Sequence, residues 1–340
     1  LIERLPLIDP RDWVDAADEP VLRMAMLRYS FLTQAYVWGE PEAPHALPAQ
    51  LAVPIWHLAQ ALGQQPLLPY SSYALDNWAK IDADGDFGFD NIHVLQSFLG
   101  GQDEAWFILI HVAIEATAGG ILDRIPALLR VTQEGDLVRV ASLLLEMVEV
   151  YEEINAIFER MGERCDPYVY FHRVRPFIHG WRDNPALGKG LIYDGVAQTR
   201  GLPQTFRGQT GSQSSIVPTM DALLGVGHAA DPLRNYLDEL HFYRPVEHRA
   251  FIDAVRERSG VRHFVASAPG AQGQAARDAY NALIEQVAAF RSQHLRYAAS
   301  YINKQSHGGR GNDSEVGTGG TPFMKYLRKH RTETAAMLLP

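Results

Sequence analysis

The chain of 340 residues carries a single cysteine, Cys165. Neither an internal disulfide nor a cysteine-based metal cluster is therefore open to it. This usage agrees with a reducing, cytoplasmic setting. Positive charge is also short: 31 Lys and Arg against 40 Asp and Glu give a formal net charge of −9. The basic residues are scattered rather than gathered into a stripe, which argues against nucleic-acid or anionic-membrane binding. No uninterrupted apolar run approaches the roughly 20 residues that span a bilayer. Alternating strand patterns are scarce, and no internal period of about 20–50 residues repeats.

What is present is helical periodicity. Apolar residues recur at steps of three and four over 21–37, 48–62, 103–129, 135–161, 218–226, 232–240, 245–258 and 275–303, as amphipathic helices require. Shorter helical stretches are expected at 71–78, 90–98 and 167–177. The fold class is therefore all-α: a large helical domain over 101–340 and a smaller N-terminal helical domain over 1–100, divided at Gly100-Gly101. Two Gly- and polar-rich stretches, 183–215 and 305–321, read as long loops of the kind that bind or cover ligands.

Several familiar motifs fail in detail. Asp82–Asp90 resembles a calcium loop, but its sixth position is Phe87 and its twelfth is His93, so the turn and the bidentate ligand are both missing. Gly317-Thr-Gly-Gly-Thr-Pro322 lacks the lysine of a phosphate-binding loop. Gly211-Ser-Gln-Ser-Ser215 lacks the last glycine of a nucleophile elbow and the sheet that motif needs. No His-Glu-x-x-His occurs among the 13 histidines, so hydrolase and metalloprotease chemistries are poorly served.

Two histidines stand out because they interrupt apolar rows. His294 follows Leu283, Val287 and Phe290 at helical steps, and Ala298 and Tyr301 continue the row. His111 shares a face with Phe107, Ile114, Ala118 and Ile121. Each is compatible with a core histidine bonded to a backbone carbonyl. Each is also compatible with an imidazole facing a buried haem. Periodicity alone favours the core reading, because core histidines far outnumber haem ligands.

The chain resembles the indoleamine 2,3-dioxygenase family, haem enzymes of tryptophan catabolism. The likeness runs in order through Phe31-Leu-Thr-Gln-Ala-Tyr-Val-Trp-Gly39, Leu51-Ala-Val-Pro54, Asp76-Asn-Trp78, Arg175-Pro-Phe-Ile-His-Gly-Trp-Arg-Asp-Asn-Pro185 and Gly190-Leu-Ile-Tyr-Asp-Gly195. It continues through Gly211-Ser-Gln-Ser-Ser215, Asp221-Ala-Leu-Leu-Gly225, Gly227-His-Ala-Ala230, Arg291-Ser-Gln-His294 and Gly317-Thr-Gly-Gly-Thr321. The resemblance implies haem b as cofactor, with His294 as the proximal iron ligand and Arg291 paired to a propionate. Gly208, Gln209 and Gly211 would lie over the haem edge. Arg175 and Thr318 would hold the substrate carboxylate, and Tyr70, Phe107, Tyr170 and Thr210 would line the substrate pocket, with Tyr73 and Ala74 nearby.

One position departs from the animal enzymes. His111 stands where they carry serine, and the related tryptophan 2,3-dioxygenases place a histidine there that accepts from the indole N–H. The implied activity is insertion of O2 across the indole C2–C3 bond of L-tryptophan to give N-formyl-kynurenine, by a monomer with O2 and a small indole as its only partners. His111, Gln209 and Thr210 also leave room for oxygenation, including monooxygenation, of another indole in secondary metabolism. A third reading is a haem-based O2 sensor, against which the carboxylate-binding Arg175 and Thr318 argue.

Overall fold

Helix limits follow local chemistry. In the computed structural model, which describes residues 2–12, 14–227, 232–305, 313–319 and 322–340, α1 (Glu19–Trp38) opens with Pro20 in its first turn, where a missing N–H costs nothing. Helix α2 spans Ala49–Ala61. Helix α3 (Gln102–Leu122) starts after Gly100-Gly101. Its Glu104 carboxylate turns back to accept from the Phe98 and Leu99 amides at 2.8–3.0 Å. The expected single helix over 103–129 is in fact two: Pro126 sits in the first turn of a separate α4 (Ile125–Glu134), because a proline inside a helix removes an N–H and clashes with the preceding turn. Helix α5 (Leu137–Glu159) is capped by Asp136, which accepts from the Arg139 amide at 2.9 Å.

The one-turn α6 (Pro167–Val169) runs into a π turn at Tyr170–Val174 and a 3-10 turn at Arg175–Ile178. The remaining helices are α7 (Ile216–Leu224), α8 (Pro232–His241), α9 (Val246–Arg258), α10 (Val261–Ser267), α11 (Gly270–Ala298) and α12 (Phe323–Ala335). The α10 and α12 segments were not among the expected helices. Gly225, which ends α7, holds φ +70°, a left-handed conformation that a side chain would strain.

The stretch 71–78 is helical only as a π turn at Ser71–Leu75, and the helix expected over 90–98 does not form. Residues 78–80 and 92–94 form β2 (Trp78–Lys80) and β3 (Ile92–Val94), an antiparallel pair joined by the Asp82–Asp90 turn. Asn91 organises that turn by bonding the Asp82 amide at 2.7 Å and the Asp86 carbonyl at 2.9 Å. A second, parallel pair joins β1 (Ala46–Leu47) to β4 (Ile192–Tyr193). These short pairings leave the all-α class intact.

The largest apolar cluster lies where α11 packs along α5, with α3 and α4 also packed on α5. A second cluster joins α1 and α2 to Trp181, Tyr193 and Leu240, so residues on both sides of position 100 share one core. A third wedges Leu27 and Phe31 against Ile108 and Val112 of α3. The stretch Gln102–Glu134 is long and apolar, with mean hydropathy 1.7 in its most apolar window, but half of that window is buried inside the fold. It is accounted for as a core helix pair.

Candidate active site

Because α3 and α11 flank α5, their interrupting histidines converge. His111 and His294 both line a cavity of about 570 Å³ and a smaller one of about 150 Å³, within or below the usual size range of cofactor and ligand pockets. Phe158 of α5, Gly211 and Ser212 also belong to both walls.

The two imidazoles are held differently. His111 Nδ1 lies 2.7 Å from the Phe107 carbonyl. A carbonyl only accepts, so Nδ1 carries the proton and Nε2 keeps its lone pair. Burial lowers the pKa of this ring, which keeps it neutral. It packs 4.5 Å from the Phe107 ring and edge-on to Tyr70 at 6.0 Å. His294 packs against Phe158 at 6.2 Å. Burial, then the charges of His111 and Arg291, bring its pKa down to about 4. Among the described residues neither ring nitrogen of His294 has a hydrogen-bond partner. A neutral imidazole with an unpaired nitrogen on a largely apolar wall has the donor character a haem iron takes, and the adjoining cavity has the bulk for the ring. The residues present fit the cofactor.

The other expected site residues divide by location. Tyr70 and Gly211 line the larger cavity, and Gly211 lines the smaller as well. Phe107, Tyr170, Gln209, Thr210 and Thr318 line the smaller one. The rings of Phe107 and Tyr170 are 4.6 Å apart. Thr318 donates to the Gln209 carbonyl at 2.6 Å, drawing the glycine-rich segment over this wall. Gly208 is on neither wall. A Cβ there would stand 2.4 Å from the Gly180 nitrogen and 2.6 Å from the Thr318 carbonyl oxygen, so only glycine allows these backbones to meet. Tyr73 and Ala74 are fully buried beside this region without reaching either cavity.

Two arginines have partners that the sequence did not disclose. Arg175 is on neither cavity wall. Its Nη2 donates to the Val316 carbonyl and its Nη1 lies 3.3 Å from His179 Nε2. Burial brings its pKa down to about 10. Arg291 does line the larger cavity, but its Nη2 holds both oxygens of Asp221 at 2.7 Å and its Nη1 bonds the His330 carbonyl at 3.0 Å and the Thr334 hydroxyl. Of the family-like segments, residues 228–230, 320 and 321 lie outside the described residues, as do 306–312 of the second loop.

Sequence reasoning missed Glu115, one turn beyond His111. It lines the larger cavity and accepts from Tyr70 Oη at 2.8 Å and Ser214 Oγ at 2.7 Å. The available signal was a carboxylate inside an apolar stripe. Burial pushes its pKa up, against the two hydroxyl bonds that lower it. Its neutral form is therefore favoured in the folded state. That contribution to stability is present in acid and lost as the pH rises through the folded pKa. Glu115→Gln keeps an oxygen acceptor and is uncharged throughout. As the pH rises above the ordinary carboxylate range, its thermal melt is expected to gain on that of the parent protein. A difference that stays constant with pH would contradict the assignment.

Comparison with known proteins gives the family. The family model for indoleamine 2,3-dioxygenase matches residues 1–337. Indoleamine 2,3-dioxygenase 1 of Rattus norvegicus is 32% identical, over 99% of this chain and 84% of the rat protein. Indoleamine 2,3-dioxygenase nanC of Aspergillus nanangensis is 31% identical, over 93% of this chain and 80% of its own. The Saccharomyces cerevisiae indoleamine 2,3-dioxygenase is 29% identical, over 99% of this chain and 82% of the yeast protein.

Proposed function

The chain belongs to the indoleamine 2,3-dioxygenase family, and from that premise we propose that it is a haem b enzyme converting L-tryptophan and O2 to N-formyl-kynurenine. The observation that carries this reading is the pair of neutral imidazoles on α3 and α11 that face one cavity, one of them with both nitrogens unpaired. Bound at His294, haem supplies the redox chemistry by which oxygen adds across the indole C2–C3 bond.

The chain supplies orientation and a dry pocket. The Phe107 carbonyl fixes the His111 tautomer, so Nε2 accepts the indole N–H and sets the ring's height and tilt. The rings of Phe107 and Tyr170 hold the indole by aromatic packing. Gln209, Thr210 and Thr318 close the same wall against water. Arg175 takes the substrate carboxylate when the Val316 carbonyl, which it holds in this structure, yields its place. A guanidinium suits a planar carboxylate through two parallel hydrogen bonds.

The test is to load the protein with haem, reduce it, add L-tryptophan in air and identify the product by mass and absorbance. N-formyl-kynurenine carrying two atoms from O2 is expected. A product with one added oxygen, or turnover only with another indole, would refute the L-tryptophan dioxygenase assignment.

A further inference from the structure

The larger cavity is lined by a buried cation, Arg244, that forms no ion pair among the described residues. Arg244 stands between α8 and α9 and is 3% exposed. Its Nε donates to the Ser214 carbonyl at 3.0 Å and its Nη2 to the Ser212 carbonyl at 2.7 Å. Those two bonds fix the guanidinium plane without cancelling its charge. Nη1 makes no hydrogen bond, and among the described residues no acid lies within ion-pair distance. Glu115 is within electrostatic reach of it, but the oxygen that Glu115 commits to hydrogen bonds is held by Tyr70 and Ser214 rather than by the guanidinium.

The other arginines on this wall are all matched. Arg291 holds Asp221, Arg234 holds Asp238 at 3.0 Å, and Arg256 holds Asp253 at 2.6 Å. A buried, unmatched guanidinium is costly, and the cost is offset when an anion binds beside it.

We propose that Arg244 is the carboxylate anchor of the cofactor cavity and takes a haem propionate through Nη1, the part that the family resemblance assigns to Arg291. The proposal rests on the haem reading above. At Arg291 a propionate would meet Nη groups already bonded to the Asp221 carboxylate, the His330 carbonyl and the Thr334 hydroxyl. At Arg244 it displaces nothing, and it finds a guanidinium already oriented by Ser212 and Ser214.

The experiment titrates the apoprotein with haem and with haem dimethyl ester, followed by the Soret band, in the parent, Arg244→Gln and Arg291→Gln proteins. The ester keeps the iron and the ring but carries no carboxylate. The parent is expected to prefer haem, and Arg244→Gln to reduce that preference by about 10- to 100-fold, the usual weight of a charge-assisted hydrogen bond. The His294-ligated spectrum should be unchanged. Loosening of the 212–214 loop would weaken both forms alike and leave the ratio intact, so the ratio reports the carboxylate contact alone. Arg291→Gln is expected to weaken both forms together. A preference unchanged in Arg244→Gln, or lost in Arg291→Gln instead, overturns the proposal while leaving the haem reading standing. A parent protein that binds neither form overturns both.

Discussion

His294→Ala is expected to leave a folded protein that no longer retains haem. The imidazole sits on α11 with Phe290 one turn before it and Phe158 facing it from α5. Among the described residues neither of its nitrogens has a protein partner, so its removal breaks no described hydrogen bond. What disappears is the proposed iron ligand. Losing an outer-shell partner of a metal ligand already weakens binding by roughly 10- to 100-fold, and loss of the ligand itself is expected to exceed that. Soret titration of the apoprotein reads the loss, and circular dichroism shows that the helices survive. A His294→Ala protein that binds haem stoichiometrically with the parent spectrum would remove the assignment.

The same residue gives the apoprotein a pH signature. Its folded pKa of about 4 lies below the ordinary value of about 6.5. The unfolded chain therefore binds more protons between these values. Stability from this site is complete above the ordinary pKa and declines as the pH falls toward 4. His294→Ala should flatten that part of the profile.

The second large effect concerns substrate choice. 1-Methyl-L-tryptophan presents a methyl group where L-tryptophan presents an N–H. With Nδ1 held by the Phe107 carbonyl, His111 offers only an acceptor to the ring. The methylated substrate leaves that buried acceptor unpaired and adds bulk against it. Sites built around one hydrogen bond reject the analogue lacking it by about 10⁴–10⁵ in kcat/KM, and a discrimination approaching that range is expected here. His111→Ala should lower kcat/KM for L-tryptophan by about 10- to 100-fold and narrow the gap between the substrates. Haem affinity should stay at the parent value, which separates a distal role from an iron-ligating one. Comparable turnover of both substrates by the parent protein would remove the proposed bond.

Legibility followed the range of the interaction. The long helices and the rows carrying His111 and His294 were readable because a 3.6-residue repeat is a local property. The break between α3 and α4 was also local, written in Pro126, but the apolar row runs through it. The stretch 90–98 reads as helix along the chain, but its residues 92–94 are strand β3, because their pairing is set by β2 across the Asp82–Asp90 turn. The π turns at Ser71–Leu75, Tyr170–Val174 and Ala299–Asn303 shift side chains off the regular repeat. Each of them adjoins cavity-lining residues: Tyr70, Tyr170 and Tyr301. Inserted residues of this kind recur at functional sites.

The sequence by itself determined the helical class, the family and the two buried imidazoles, since each is carried by residue order along one helix or by motifs in series. Only the tertiary structure decided that both imidazoles open on the same cavities. It alone also decided which guanidiniums are neutralised. Arg291 lies 70 positions from Asp221 and is matched by it, whereas Arg244, among the described residues, is hydrogen-bonded only to the carbonyls of Ser212 and Ser214. Charge pairing depends on distance through space, and no spacing along the chain encodes it.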